Sequence, residues 1–152
     1  SNAVPQAEIA HHVGHELAHW ALKREGFAGP KDEEEKLADY IGAALVAPRA
    51  AFLRAVRAFG DDFTDGDTRA QFAEAFAASE SLTVLRLGET TSRAIALVRP
   101  GLVRVRGQLS FVWPDEHTLI GWARGPLPPG IVKARLGDDR ARIIILPDED
   151  VA

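Results

Sequence analysis

No cysteine occurs among the 152 residues. Disulfide frameworks and thiolate metal sites are thereby excluded, and any metal must be held by His, Asp or Glu. No apolar run reaches the length of a bilayer span, so neither a membrane-crossing helix nor a membrane partner is expected. No secretory leader is visible, and Ser1-Asn2-Ala3 reads as the scar of a cleaved expression tag, set apart from the fold. Without leader or span, the expected setting is the cytoplasm. There is no internal repeat and no low-complexity tract, which argues against a solenoid or a long disordered linker.

What is present is a chain that is 46% hydrophobic and 26% charged, enough to bury a core in one domain or one domain with a small appendage. The net charge of −4 hides an asymmetry. Residues 1–81 carry 8 Lys and Arg against 14 Asp and Glu, whereas residues 82–147 carry 10 against 5 and the tail "DEDVA" adds three negative charges. Such a split predicts two structural units with different surfaces. The basic excess of the second is modest, and it reads as a solvated face rather than a nucleic-acid surface.

The first unit is helical. "PQAEIAHHVGHELAHWALKREG" has helical spacing and stops at Gly26. "KDEEEKLADYIGAALVAP" opens on an acidic run suited to a helix N-terminus and breaks at Pro48. "RAAFLRAVRAFG" is short and amphipathic, and "DTRAQFAEAFAAS" with "SESLTVLRLGE" forms a helix pair across a very tight turn. Then period 3.6 gives way to strands. "RAIALVRP", "GLVRVRG", "IVKARL" and "RARIIILP" are rich in Val, Ile and Leu and bounded by Gly or Pro, with a hairpin predicted around Gly137-Asp138-Asp139. "DEHTLIGWARG" between them predicts one more short helix. The expected division is a helical core over residues 4–81 and a C-terminal unit of helix and strands over residues 82–152. Trp113, Trp122 and Phe111 in that unit read as core packing rather than a peptide-binding surface.

The chemistry concentrates in "HHVGHELAHW". His15-Glu16-Leu17-Ala18-His19 has the pattern H-E-x-x-H. Residues four apart lie one turn above each other on one helix face, so two imidazoles can reach one zinc ion. Glu16 lies beside that stripe, where it can act as general base on a zinc-activated water. On the helical wheel Glu8, His11, His12, His15 and His19 share one stripe, while Ile9, Val13, Leu17 and Trp20 share the opposite one and are expected to face the core. The plain alternative is a solvated His-rich face.

A catalytic zinc takes three protein ligands, so a third must come from elsewhere. The next helix offers Asp32, Glu33, Glu34, Glu35 and Asp39, most of which read as a solvated helix start. Glu35 and Asp39 share a stripe with the small residues Ala38 and Gly42, which would allow close approach to the first helix. Glu35 is therefore the expected third ligand, with Asp39 as an orienting partner of a histidine. A Glu35→Ala protein that kept its metal would shift the assignment to Asp39 or Glu34.

"HELAH" followed by "EEKLADYIGAALVAP" resembles the ImmA/IrrE family of zinc metallopeptidases, whose second helix reads roughly E-x-x-A-N-x-F-A-x-x-L-L-x-P. Here the glutamate is Glu35, the alanine Ala38, the Asn position Asp39, the Phe position Ile41 and the Leu-Leu-x-Pro end Leu45-Val46-Ala47-Pro48. The resemblance extends weakly to "FAASESLTVLRLGE" and covers residues 7–90. It implies a zincin-like helical core with a helix-turn-helix-like pair; together with the strands read from residues 93–146, which match nothing in the family pattern, the expected fold is α+β with a small C-terminal β-rich unit. The resemblance also implies zinc on a gluzincin-like set of His15, His19 and Glu35, with Glu16 as base. The family usually has a helix and one or more strands before HExxH, and only "VPQAEIA" stands there in this sequence. Family members cleave helix-turn-helix transcriptional repressors, so the implied partner is a protein substrate of that kind.

His11, His12, Tyr40 and His117 are the candidates for cleft walls or an oxyanion donor. A DNA-reading role for the helix pair is not expected, because its second helix offers mainly Arg86 between Glu80 and Glu89. A catalytically silent regulatory or toxin–antitoxin partner is the alternative to an active peptidase. A broken HExxH or a missing third carboxylate would mark it, and neither is seen.

Overall fold

Proline and short polar side chains set where the helices begin. The computed structural model describes residues 6–91, 93–107, 113–137 and 142–145. The first helix, α1, spans Gln6–Arg24. Pro30 and Pro48, both extended, stand immediately before α2 (Lys31–Val46) and α3 (Arg49–Phe59). The acidic side chains of Asp32, Glu33 and Glu34 occupy the first turn of α2, where they oppose its positive dipole end. Three later helices carry side-chain caps. Asp65 accepts from the backbone N–H of Asp67 at the start of α4 (Gly66–Phe76). Ser79 accepts from Leu82 at the start of α5 (Glu80–Thr90), and Asp115 from Thr118 at the start of α6 (Glu116–Arg124). Each cap satisfies one of the orphan donors of a helix N-terminus. The turn between α4 and α5 is as tight as the sequence predicts, and Ala77 takes a left-handed conformation (φ 48°) to make it.

Four short strands form one antiparallel sheet in the order β2-β1-β4-β3: β1 Ile95–Arg99, β2 Leu102–Arg106, β3 Val132–Arg135 and β4 Arg142–Ile145. β1 and β2 close a hairpin with Val98 opposite Val103 and Leu97 opposite Arg104. β3 and β4 pair antiparallel as the sequence predicts. Asp138 and Asp139 of the expected hairpin turn lie outside the described residues, as does Phe111.

Alternation along β1 builds two cores. Ile95 and Leu97 face the helices and join Phe52, Phe63, Phe72, Leu82, Val84 and Leu87 in the main cluster. Ala96 and Val98 face the other way and pack with Leu119 of α6, bordered by Trp113 and Trp122. Those two tryptophans thus pack as core. The fold is α+β, and the sheet shares its larger core with α3, α4 and α5. Residue 81 falls within the first turn of α5, a helix that feeds this common core. Arg69, 7% exposed, reinforces the join: it donates to the carbonyls of Phe63 and Arg135 and pairs with Glu80.

The structure corrects one expectation. The apolar stripe of α1 does not face the core: Ile9, Val13, Leu17 and Trp20 are each about half exposed. The reason lies in how α1 is held. Its extended contact is with α2 alone, made through the opposite, small-residue side. Amphipathic periodicity shows that a helix has an apolar face, not that this face has a partner in the same chain.

Candidate metal centre

Two glycines bring α1 and α2 together. A Cβ built on Gly42 would lie 2.9 Å from the backbone nitrogen of His15, and one built on Gly14 would lie 3.0 Å from the carbonyl oxygen of Gly42. Any side chain at either position would push the helices apart. Ala18 and Ala38, both fully buried, line the same seam. Ala38 and Gly42 have the role expected of them, while Gly14 carried no mark in the sequence beyond its place between the histidines.

At this spacing the stripe of α1 meets that of α2. One ligand atom each from His15, His19 and Glu35 all lie within 4.8 Å of one another. The Nε2 atoms of His15 and His19 are 2.9 Å apart. Glu35 places Oε2 3.1 Å from Nε2 of His15 and Oε1 3.1 Å from Nε2 of His19. The far sides of both rings are held as well. Nδ1 of His15 lies 2.8 Å from Oδ1 of Asp39, and Nδ1 of His19 lies 3.0 Å from Oε2 of Glu34. With a metal on the two Nε2 atoms, each ring would keep its proton on Nδ1 and donate it to the carboxylate behind it.

Two imidazole nitrogens and a carboxylate converge on one point. A single proton could satisfy only part of that arrangement. A divalent cation satisfies all of it, and four-coordinate zinc with bonds of about 2.0–2.1 Å holds its ligands roughly 3.3 Å apart, close to the separations seen here. The donor set fits the ion, with carboxylates steadying both imidazoles from behind.

The other expected residues divide clearly. Asp39 is part of the cluster and orients His15. Glu16 is exposed on α1 beside the cluster, with no hydrogen-bond or ion-pair partner among the described residues. His11 is partly buried one turn before His15, and burial is the main cause that lowers its pKa. The charge of Asp39 pulls that pKa the other way, while His15 and His12 add to the lowering. His12 is exposed. Tyr40 is about half exposed, with the Arg86 guanidinium 5.8 Å from its ring centre. His117 sits exposed in the first turn of α6, across the sheet from the helices that hold the cluster. Two participants have roles the sequence did not assign: Glu34, expected there only as part of an acidic run and a fallback ligand, lies behind His19, and Arg104 of β2 places Nη2 3.1 Å from Oδ2 of Asp39.

An HExxH helix clasped by a second helix that delivers a carboxylate defines a metallopeptidase-type centre. Residues 4–88, more than half of the chain, match the model of the IrrE N-terminal-like domain, peptidase family M78. The chain belongs to this family, in agreement with the ImmA/IrrE resemblance. No curated protein gave a match to the chain.

Proposed function

We propose that this chain is a zinc-dependent endopeptidase that acts in the cytoplasm as an anti-repressor, cleaving a helix-turn-helix transcriptional repressor in a stress or mobile-element response. The observation that carries the peptidase reading is the convergence of His15, His19 and Glu35 beside a Glu16 that has no partner among the described residues. The repressor as substrate rests on the family resemblance. Arg86, the residue a DNA-reading helix would have to project, is 3% exposed and bonded to the carbonyl of Ala47 and to Glu89, which favours a protein substrate over DNA.

His15, His19 and Glu35 would hold the zinc, with Asp39 and Glu34 fixing the rings. When bound, the ion would supply Lewis acidity and make a water more acidic. Glu16 takes the proton of the attacking water and passes it to the leaving amine, a role that requires a carboxylate free of other partners.

Two measurements test this reading. Purified protein should bind one zinc per chain, and Glu35→Ala should abolish that binding. Glu16→Gln should keep zinc and fold but lose about 10²–10⁴-fold in cleavage rate, as expected for loss of a general base. Incubation with helix-turn-helix repressors, read by fragment mass, should give products with the wild type only. A wild type that folds but binds no zinc refutes the proposal.

A further inference from the structure

Arg104 comes from β2, outside the segment that matches the family, yet its side chain reaches the metal cluster. Asp39 sits between two donors: Nδ1 of His15 at 2.8 Å from Oδ1 and Nη2 of Arg104 at 3.1 Å from Oδ2. A carboxylate held by one hydrogen bond can still rotate about its terminal torsion. A second, charge-assisted bond on the other oxygen fixes its plane. Resting on the metal-site reading above, we propose that Arg104 is a positioning residue of the metal centre. Through Asp39 it holds the His15 ring in the orientation and tautomer that present Nε2 to the ion.

Three features support this role. First, Arg104 is anchored. Two residues along on the same face of β2, Arg106 donates to Glu89 of α5 at 2.9 Å. Glu89 also takes Nη1 of Arg86, whose Nε donates to the carbonyl of Ala47 just beyond α2. The link from Asp39 to β2 is thus closed by a second link from β2 through α5 to the end of the same helix. Second, the charge is matched. Asp39 adds a negative charge beside Glu34 and Glu35, and Arg104 is its counter-ion. Third, Arg104 and Asp39 are about one-third and one-quarter exposed, so their bond is partly shielded from solvent and salt.

The test is a zinc titration of metal-free protein against a competing chromophoric chelator, with melting temperatures of the metal-free forms in parallel. Arg104→Ala should bind zinc about tenfold more weakly, the low end of the range for loss of an outer partner of a metal-ligating histidine. Arg104→Lys, which keeps the charge, should recover most of the affinity. In a protein already carrying Asp39→Asn, adding Arg104→Ala should change affinity by less than about twofold, because the carboxylate through which it acts is gone. Arg104→Met, which keeps the aliphatic stem, serves if the alanine variant does not fold. Lowered melting temperature with wild-type zinc affinity would show a purely structural role and overturn the proposal. So would an equal loss in the Asp39→Asn background. A wild type that binds no zinc overturns both this inference and the peptidase reading, whereas normal zinc binding by wild type and Arg104→Ala alike overturns this inference alone.

Discussion

At the scale of single residues, much here depends on carboxylates that accept rather than repel. Asp65 and Asp115 show it outside the metal cluster. The pKa of Asp65 is lowered first by the side-chain hydrogen bond from Thr68, at 2.9 Å, and then by the backbone N–H of Asp67. That of Asp115 is lowered first by the backbone N–H of Thr118, at 2.7 Å. A carboxyl whose pKa is depressed by folding adds stability above its unfolded value of about 3.9, and that stability is lost as pH falls through the folded value. Urea midpoints of wild type and Asp65→Ala should therefore differ at pH 7 and converge in acid below the usual carboxylate range. A gap unchanged in acid would show that the ionised cap contributes nothing. The same scale shows what a sequence conceals. His15 and His19 were legible because four residues are one helical turn. Glu34 was not, because which carboxylate of an acidic run meets Nδ1 of His19 depends on ring orientation, which no spacing rule specifies. Arg104 had no local signal at all, since its partner lies in a distant helix.

At the scale of elements, the seam between α1 and α2 determines the centre. Ala38 and Gly42 signalled a close approach in the sequence, and the structure adds Gly14 facing Gly42 across the seam. Gly42→Ala sets a methyl group 2.9 Å from the His15 backbone nitrogen, and backbone on both sides leaves little room to yield. We expect a loss of about 1–3 kcal/mol, typical of overpacking, together with weaker zinc binding because the donors of α1 and α2 move apart. Chemical denaturation and the zinc titration read the two effects. Full stability and affinity in Gly42→Ala would show that the seam can spread without harm. Helix and strand identities were legible throughout, because the change from period 3.6 to short β-branched runs is a strong signal. The destination of the apolar stripe of α1 was not. Ile9, Val13, Leu17 and Trp20 specify a face, and only tertiary packing specifies what that face meets.

At the scale of the whole molecule, a buried carboxylate, Glu89, joins sheet and helices through Arg86 and the partly buried Arg106. Arg86 and Glu89 are 3% and 4% exposed, and Glu89 also holds Arg106 of β2. Glu89→Ala leaves those cations without their shared partner, and removing one member of a buried pair typically costs about 3–5 kcal/mol. Because Ile95 and Leu97 lie in the same core as Phe52 and Phe72, helices α3, α4 and α5 and the sheet should unfold together. In a Trp20→Phe protein, far-UV circular dichroism and tryptophan fluorescence from Trp113 and Trp122 should share one main urea transition, and a sheet signal separated from that of the helices would show two independent units. Helix α1 stands apart from this cooperative body, joined chiefly along its seam with α2 and open along its apolar stripe. Its amides should therefore exchange with deuterium through local opening, ahead of those in α5. An ion bridging His15 and His19 to Glu35 would act as a clasp on that opening. Its binding energy would appear as slowed exchange in α1, growing with free zinc by RT ln(1 + [Zn]/Kd), while α5 changed little. Metal supply would then govern how long the least anchored helix stays docked, as well as whether the centre is loaded.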